Sequence, residues 1–395
     1  MRLIFRETIA ITVLNLKSMP RRLWLSLSTV TAVSLVVMVL LSFLAMANGF
    51  QRTVVGSGAD DIAVIMRGGS QSEVNSVLMR DQVRLIEEGP GIAVGSDGKP
   101  QVSGELYLTV DGIKRGSNAK GNLPLRGIGP QGALLRRGIA LVEGRMFNPG
   151  SNEMIVGKAL VGEFQGLDLG QVVTFGTSKW KVVGIFAAGG SVFESEMWAD
   201  LPVLQSLFKR LNRFQTVRAR LTNPAALEQL KAYNDNDARL KLDVMSESEY
   251  FAEQASGTSG LIRRIGWPLA IAMALGALAG ALNTMYSSVA SRAAEISTLR
   301  AIGFGSFSTF VGTLAESLSL AAIGGLVGVV ASYLIFDGFT ASTLGGSFGQ
   351  VVFNFKLSPQ LIGQGLMLAL VVGLVGGVFP AIRAARMPII AGLYT

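Results

Sequence analysis

Four stretches of this sequence run for more than twenty residues with at most one charged side chain each, and nothing else in it constrains the fold as strongly. Residues 23–47 hold 25 consecutive uncharged positions, enough helix to cross a hydrocarbon core of about 30 Å. Their end, Ala45-Met46-Ala47, mimics a signal-peptidase site. Signal peptides have apolar cores of roughly 7–15 residues behind short leaders, and this run is longer and follows 22 residues, so an uncleaved helix is expected. Transmembrane helices are expected at residues 23–48, 263–290, 307–336 and 361–382. Residues 49–262 are left as one large extramembrane domain, ample for its own core. A mean hydropathy of +0.45 with 16% charged residues fits that division, being too apolar for a soluble enzyme and too polar for helices alone.

Charge sets the expected orientation. Between residues 51 and 260 there are 23 basic and 23 acidic side chains, while the 12 basic and 4 acidic ones elsewhere carry the whole net charge of +8. A basic excess confined to the flanks of apolar runs is a topology signal and not a patch for a phosphate backbone, so no nucleic-acid partner is expected. Arg2, Arg6, Lys17, Arg21 and Arg22 precede the first span, Arg292 and Arg300 separate the second from the third, and Arg383 and Arg386 follow the fourth. The 337–360 connection has Lys356 as its one basic residue. Both termini and residues 291–305 are therefore expected in the cytoplasm, with the large domain and the 337–360 loop outside. Arg263 and Arg264 oppose the rule, but they flank a long translocated domain, where such charges count for little, and they can snorkel to headgroups. Residues 1–22 alternate apolar and basic side chains, as in an amphipathic helix lying in the lipid interface, with a solvated leader as the alternative.

The outer domain reads as α+β. Strands are expected at residues 61–66 and 102–110 around an amphipathic helix at 72–88, with Val74, Val77, Leu78 and Ile86 inward. A second strand–helix–strand unit is expected at 216–221, from Asn223-Pro224 to Tyr233, and at 239–244. The two units, at about 60–115 and 214–246, flank a β-rich insertion at about 130–212. Strands there are expected at 152–156, 171–175 and 179–186, the last two joined by a Gly176-Thr177-Ser178 turn. Asp200 with Pro202 starts a short helix, and Ser246 with Glu249 forms a capping box for a helix running on to the second span.

The residue inventory excludes much chemistry. The chain has no cysteine and no histidine, which removes disulfides, thiolate nucleophiles, imidazole acid–base catalysis and the usual zinc ligands. It contains no GxxxxGK[ST] phosphate cradle, so no catalytic, metal or cofactor site is expected on it. Glu316, the single carboxylate inside a span, reads as a helix–helix hydrogen-bonding residue beside Thr313 and Ser317, ahead of a proton relay. The pairs Gly276/Gly280, Gly324/Gly328 and Gly373/Gly377 read as transmembrane packing faces, ahead of a substrate groove. That leaves residues 291–305, SRAAEISTLRAIGFG. Arg292 and Glu295 can pair on one helix face, Ile296, Leu299 and Ile302 line another, and Gly303 and Gly305 end the helix. The apolar stripe needs a cover, either lipid headgroups or a groove on a cytoplasmic partner.

The stretch AAEISTLRAIGFGSFSTFVGTLAES resembles the signature of MacB-like ABC transporter permeases, the group that includes FtsX and the LolC/LolE permeases. GGVFPAIRAARMPIIAGL is similar to that family's tail, although Ile389-Ile390-Ala391-Gly392-Leu393 stands where the family more often has an acidic or Pro–Ile–Glu type run. VEGRMFNPGSNEMIVGKALVGEF and the later KWKVVGIF resemble the family's periplasmic core domain. The resemblance implies a membrane α-helical fold of four transmembrane helices, cytoplasmic termini, and a large α+β periplasmic domain between helices 1 and 2. It implies a permease subunit in a bacterial inner membrane, with ATP and Mg on two copies of a separate ABC ATPase. The subunit pairs with a second copy or a homologous permease, and the resemblance leaves room for a periplasmic adaptor and an outer-membrane exit duct. Residues 291–305 then become a coupling helix, with Arg292, Glu295, Ile296, Leu299, Arg300, Ile302 and Gly303 as the ATPase-coupling residues. The implied work is efflux or export from the periplasm or outer leaflet, and the alternative is an FtsX-like regulator that transmits force without transport.

Overall fold

The apolar runs all form helices. In this computed structural model, which describes residues 2–18, 23–344 and 349–388, the chain begins with α1 (Arg2–Ser18) and α2 (Leu23–Val55). Next come β1 (Ile62–Arg67), β2 (Leu78–Met79), α3 (Arg80–Glu87), β3 (Val102–Ile113), β4 (Lys120–Ile128), β5 (Ala140–Gly144) and β6 (Glu153–Gly157). Then follow α4 (Lys158–Glu163), β7 (Val172–Phe175), β8 (Ser178–Ala187), β9 (Met197–Asp200), α5 (Leu201–Leu207), β10 (Arg213–Phe214) and β11 (Thr216–Arg220). The chain continues through α6 (Ala226–Asn236), β12 (Leu242–Ser246), α7 (Glu247–Ser291), α8 (Ala293–Ala301) and α9 (Ser306–Phe336). It closes with β13 (Thr340–Leu344), β14 (Gln350–Asn354) and α10 (Pro359–Ala385). Four of these helices, α2, α7, α9 and α10, are long and apolar enough to cross a membrane. Two compact units result, a helical one of residues 1–48, 261–339 and 355–395, and a sheet unit of residues 49–260 and 340–354.

Small residues close the helical unit. A Cβ on Gly324 would come within 2.8 Å of the Val30 carbonyl, and one on Gly328 within 2.7 Å of the Ser34 carbonyl, so α9 lies directly on α2. On the other side of α9, a Cβ on Gly373 would meet Ala321 at 2.3 Å and one on Gly377 would meet Ser317 at 2.6 Å. The Ser317 hydroxyl donates to the Gly373 carbonyl at 2.7 Å, the kind of polar contact that joins helices in lipid. Gly276 and Gly280 differ. Nothing stands within 4 Å of a Cβ at either, so these two do not pack within the described chain as the sequence pattern suggested, and they lie on the exposed side of α7.

The sheet unit holds a ten-stranded sheet in the order β12-β1-β11-β3-β4-β9-β6-β8-β5, with β7 added on β8. Its first four strands are all antiparallel. Counted along the chain they stand in the order fourth, first, third, second, with α3 and α6 in the two crossovers, which is the split β-α-β arrangement of ferredoxin-like folds. Val83 and Ile86 of α3 pack with Ala226 and Leu230 of α6 over Ala63, Ile65, Val217 and Ala219 of the sheet. The remaining strands enclose a second core around Leu125, Met154, Phe164, Trp180 and Met197. The two strand–helix–strand units and the intervening β region are thus one continuous sheet.

Several boundaries differ from the sequence reading. The helix expected at 72–88 is only Arg80–Glu87, preceded by a 3-10 turn at Glu73–Asn75, because Glu73 is drawn into buried ion pairs that a regular helix would not reach. The strand expected at 239–244 is Leu242–Ser246, since the Asn234 amide bonds both backbone groups of Leu242 and fixes the turn ahead of it. Within the 337–360 loop, β13 and β14 form an antiparallel pair. Helix α8 is nine residues long instead of spanning 291–305. Arg292 breaks the chain direction (φ −112°, ψ 14°), and Gly303, at φ +110°, ends the segment in a conformation that favours glycine. Arg21, Arg22 and the tail residues Ile389–Leu393 lie outside the described residues.

Candidate functional site

Helix α8 is held at three points. Ile296 is buried with Val289 of α7 and Ala384 of α10. The Arg300 guanidinium donates to the Met387 carbonyl and to the Ser306 hydroxyl, the latter at 3.1 Å. Arg292 is the deepest anchor. Its side chain is 5% exposed and pairs with Glu316 of α9 at 3.1 Å and with Glu295 of α8 at 3.3 Å. It also donates to the Asn15 carboxamide of α1. Glu316, itself 7% exposed, further accepts from the Ser288 hydroxyl of α7 at 3.4 Å. The carboxylate within α9 is therefore an ion-pair partner as well as a helix–helix hydrogen-bonding residue.

The expected coupling residues consequently divide. Arg292 and Ile296 face into the bundle, and Arg300 is occupied by the end of α10. Glu295 is exposed, Leu299 is half-buried and Ile302 is 71% exposed. Ile296, Leu299 and Ile302 are therefore not one uniformly open stripe, because the first is turned into the bundle and the third, at the end of the helix, stands in the open. What α8 leaves open is a groove of about 620 Å³ bordered by Glu295, Thr298 and Leu299 together with Leu14 and Lys17 of α1. Among the described residues no group of three or more Asp and Glu side chains is placed to hold a metal.

A second constellation, inside the sheet unit, escaped sequence reasoning. Seven buried charged side chains meet there: Arg126 of β4, Arg136, Arg218 of β11, Glu73, Glu105 of β3, Glu196, and Glu247 at the start of α7. Arg126 contacts Glu73 at 2.8 Å, Glu105 at 2.9 Å and Glu196 at 2.6 Å. Arg136 meets Glu105 at 2.6 Å, while Arg218 pairs with Glu73 at 3.0 Å and with Glu247. Trp198 donates its indole N–H to Glu196 at 2.8 Å, and Arg126 lies 4.6 Å from the Tyr107 ring centroid.

Burial by itself would push these carboxyls up. At Glu105 the arginines Arg136, Arg126 and Arg218 outweigh burial and hold the group down at about 2. At Glu73, Arg126 and Arg218 likewise win over burial and lower it. Arg126 stays charged because Glu196 and Glu73 overcome its own burial. The available signal was weak. Thr216, Arg218 and Arg220 alternate with Val217 and Ala219 as a solvated face would, and nothing local says that this polar face is covered.

Four helices of spanning length carrying an α+β domain between the first and second define a multi-span membrane protein with a large extramembrane domain. Residues 26–234 match the family model described as MacB-like periplasmic core domain, and residues 268–389 match the FtsX-like permease C-terminal model. The chain belongs to the MacB/FtsX-type family of ABC transporter permeases. It is 25% identical over 232 residues to an uncharacterized ABC transporter permease, MJ1507, of Methanocaldococcus jannaschii, covering 56% of each chain. It is 25% identical over 299 residues to the macrolide export ATP-binding/permease protein MacB 1 of Aeromonas hydrophila, covering 70% of this chain and 44% of that one. The chain thus spans about half the length of the curated relatives it matches. The periplasmic region of MacB from Actinobacillus actinomycetemcomitans overlaps 49% of this chain and 92% of its own at 13% identity, with a TM-score of 0.36. At that score the overlap carries no argument.

Proposed function

We propose that this chain is the transmembrane subunit of an ATP-driven transporter and that α8 receives the motion of a cytoplasmic ABC ATPase. ATP and Mg are placed on two copies of that ATPase, beneath a pair of permease chains. The termini and α8 are assigned to the cytoplasm and the sheet unit to the periplasm of a bacterial inner membrane, by the distribution of arginine around the spans. ATP-driven closure of the ATPases would push α8, and the long helices would carry that push to the sheet unit. Substrate is handled outside the membrane, for efflux or export from the periplasm or outer leaflet. An adaptor and an exit duct belong to the same reading.

The observation that carries this is the anchoring of α8: a nine-residue helix fixed to α1, α7, α9 and α10, yet open along Glu295, Thr298 and Leu299. A lever needs such a rigid seat and an open contact face. Glu316 also supports the lever, because it is consumed by Arg292 and Ser288 and leaves no ionisable group free for a midplane pathway at that position. The test is co-expression of the full chain with an ABC ATPase subunit encoded beside it. A stable complex whose sheet unit changes protease sensitivity with ATP supports the reading. A complex that never forms, or a sheet unit indifferent to ATP, refutes it. Adding a substrate-export assay separates transport from force transmission to a periplasmic enzyme.

A further inference from the structure

We infer that α1 is the second half of the coupling device: Arg292 clamps it to α8 and α9, so that a load on α8 is borne by three helices moving as one body. The functional half of this rests on the coupling role proposed above, and the clamp itself does not. A helix held only by headgroups turns its polar side chains outward. Helix α1 instead buries Asn15 and Ile11, each 3% exposed, while Ile9 and Val13 stay open on its other side and Leu14 along its flank.

Two independent devices hold it. The first is steric. A Cβ on Gly312 of α9 would come 2.6 Å from the Ile11 side chain and 3.2 Å from the Asn15 carboxamide nitrogen, so glycine forms the notch in which α1 sits. The second is polar. The planar guanidinium of Arg292 offers donors in fixed directions, and it spends them on three helices: Nη1 on Glu316 of α9, Nη2 on Asn15 of α1 and Nε on Glu295 of α8. Thr8 adds a hydrogen bond to Ser308 of α9 at 3.2 Å. Lysine could not replace this arginine, because its single ammonium lacks the fork.

The consequence lies at the groove. Leu14 and Lys17 of α1 border the same opening as Glu295, Thr298 and Leu299 of α8, so an ATPase element docking on α8 also bears on α1. Arg292, Asn15 and Gly312 are positioning residues in this scheme, because they set where the two helices stand and do not themselves line the outer contact.

The chain has no cysteine, so Val13→Cys on α1 with Ala301→Cys on α8, both at exposed positions, takes two spin labels without background. In the full chain we expect one narrow distance distribution, unchanged when the co-purified ATPase is given a non-hydrolysable ATP analogue. Asn15→Ala removes only the α1 tie and leaves the Arg292–Glu316 pair, and it should broaden the distribution while the unfolding temperature holds. Gly312→Val should do the same without touching a charge. Arg292→Gln should broaden it too, and Arg292→Lys, which keeps the charge but not the fork, should leave it broad, a distinction that loss of the charge alone would not show. A distribution that stays narrow in Asn15→Ala and Arg292→Gln overturns the clamp. A wild-type separation that changes with nucleotide overturns the single-body movement. If no ATPase binds the wild type, the coupling role fails, while the distances in the chain alone still decide the clamp.

Discussion

At the scale of single residues, the buried charges of the sheet unit are the most consequential side chains outside the membrane. Arg126 faces three carboxylates at 2% side-chain exposure, so removing it strands negative charge in a dry interior. Breaking such a pair costs roughly 3–5 kcal/mol, and Arg126→Met should lower the unfolding free energy of the sheet unit by about that much, read by denaturant titration with tryptophan fluorescence. Glu105 gives the pH dependence its sign. Its folded value of about 2 lies below the ordinary 4.5, so its contribution is present above about pH 4.5 and is lost as pH falls towards 2. That gap corresponds to roughly 3 kcal/mol, and Glu105→Gln should flatten the acid limb of the stability curve between those values. None of this was legible in the sequence. Glu73 fell within the helix expected at 72–88 and Arg218 within the strand expected at 216–221, and neither pattern announces a buried charge, because burial of a polar face is decided by what the rest of the chain lays over it.

Among elements, the long helices were the most legible, since a run without charge leaves a chain little choice in lipid. The glycine pairs were half legible. The spacing found at Gly324/Gly328 and Gly373/Gly377 coincides with direct helix contacts, whereas the identical spacing at Gly276/Gly280 faces nothing among the described residues. A motif specifies that close approach is permitted, and only the neighbouring helix decides whether it occurs. The two cases should separate experimentally. Gly324→Val drives methyl groups into the Val30 carbonyl and Val33, an overpacking that costs about 1–3 kcal/mol, and should lower thermal stability in detergent. Gly276→Ala should leave that stability unchanged. The short helix α8 was recognisable as a segment but not in its length. The break at Arg292 comes from a tertiary ion pair to Glu316, 24 positions away, which no local pattern contains.

For the whole molecule, the division into a helical unit and a sheet unit follows directly from where charge is absent. The topology of the sheet did not follow, because β4, β5 and β9 are short or irregular in pattern and the ferredoxin-like interleaving joins strands far apart in the chain. The family match and the anchored α8 are what support the proposed reading of the protein as a transmitter of ATP-driven motion. Leu299 is the half-buried apolar side chain bordering the open groove of α8, and so it is the residue on which the proposed ATPase contact should depend most. The most direct test is the rate of ATP hydrolysis by the ATPase subunit in complex with the full chain, wild type against Leu299→Asp. Burying a carboxylate at such a contact should lower both complex formation and chain-dependent hydrolysis about tenfold, a loss of roughly 1.4 kcal/mol, with the unfolding temperature of the permease unchanged. An Asp variant that binds the ATPase and supports hydrolysis at the wild-type rate would contradict the coupling role of α8.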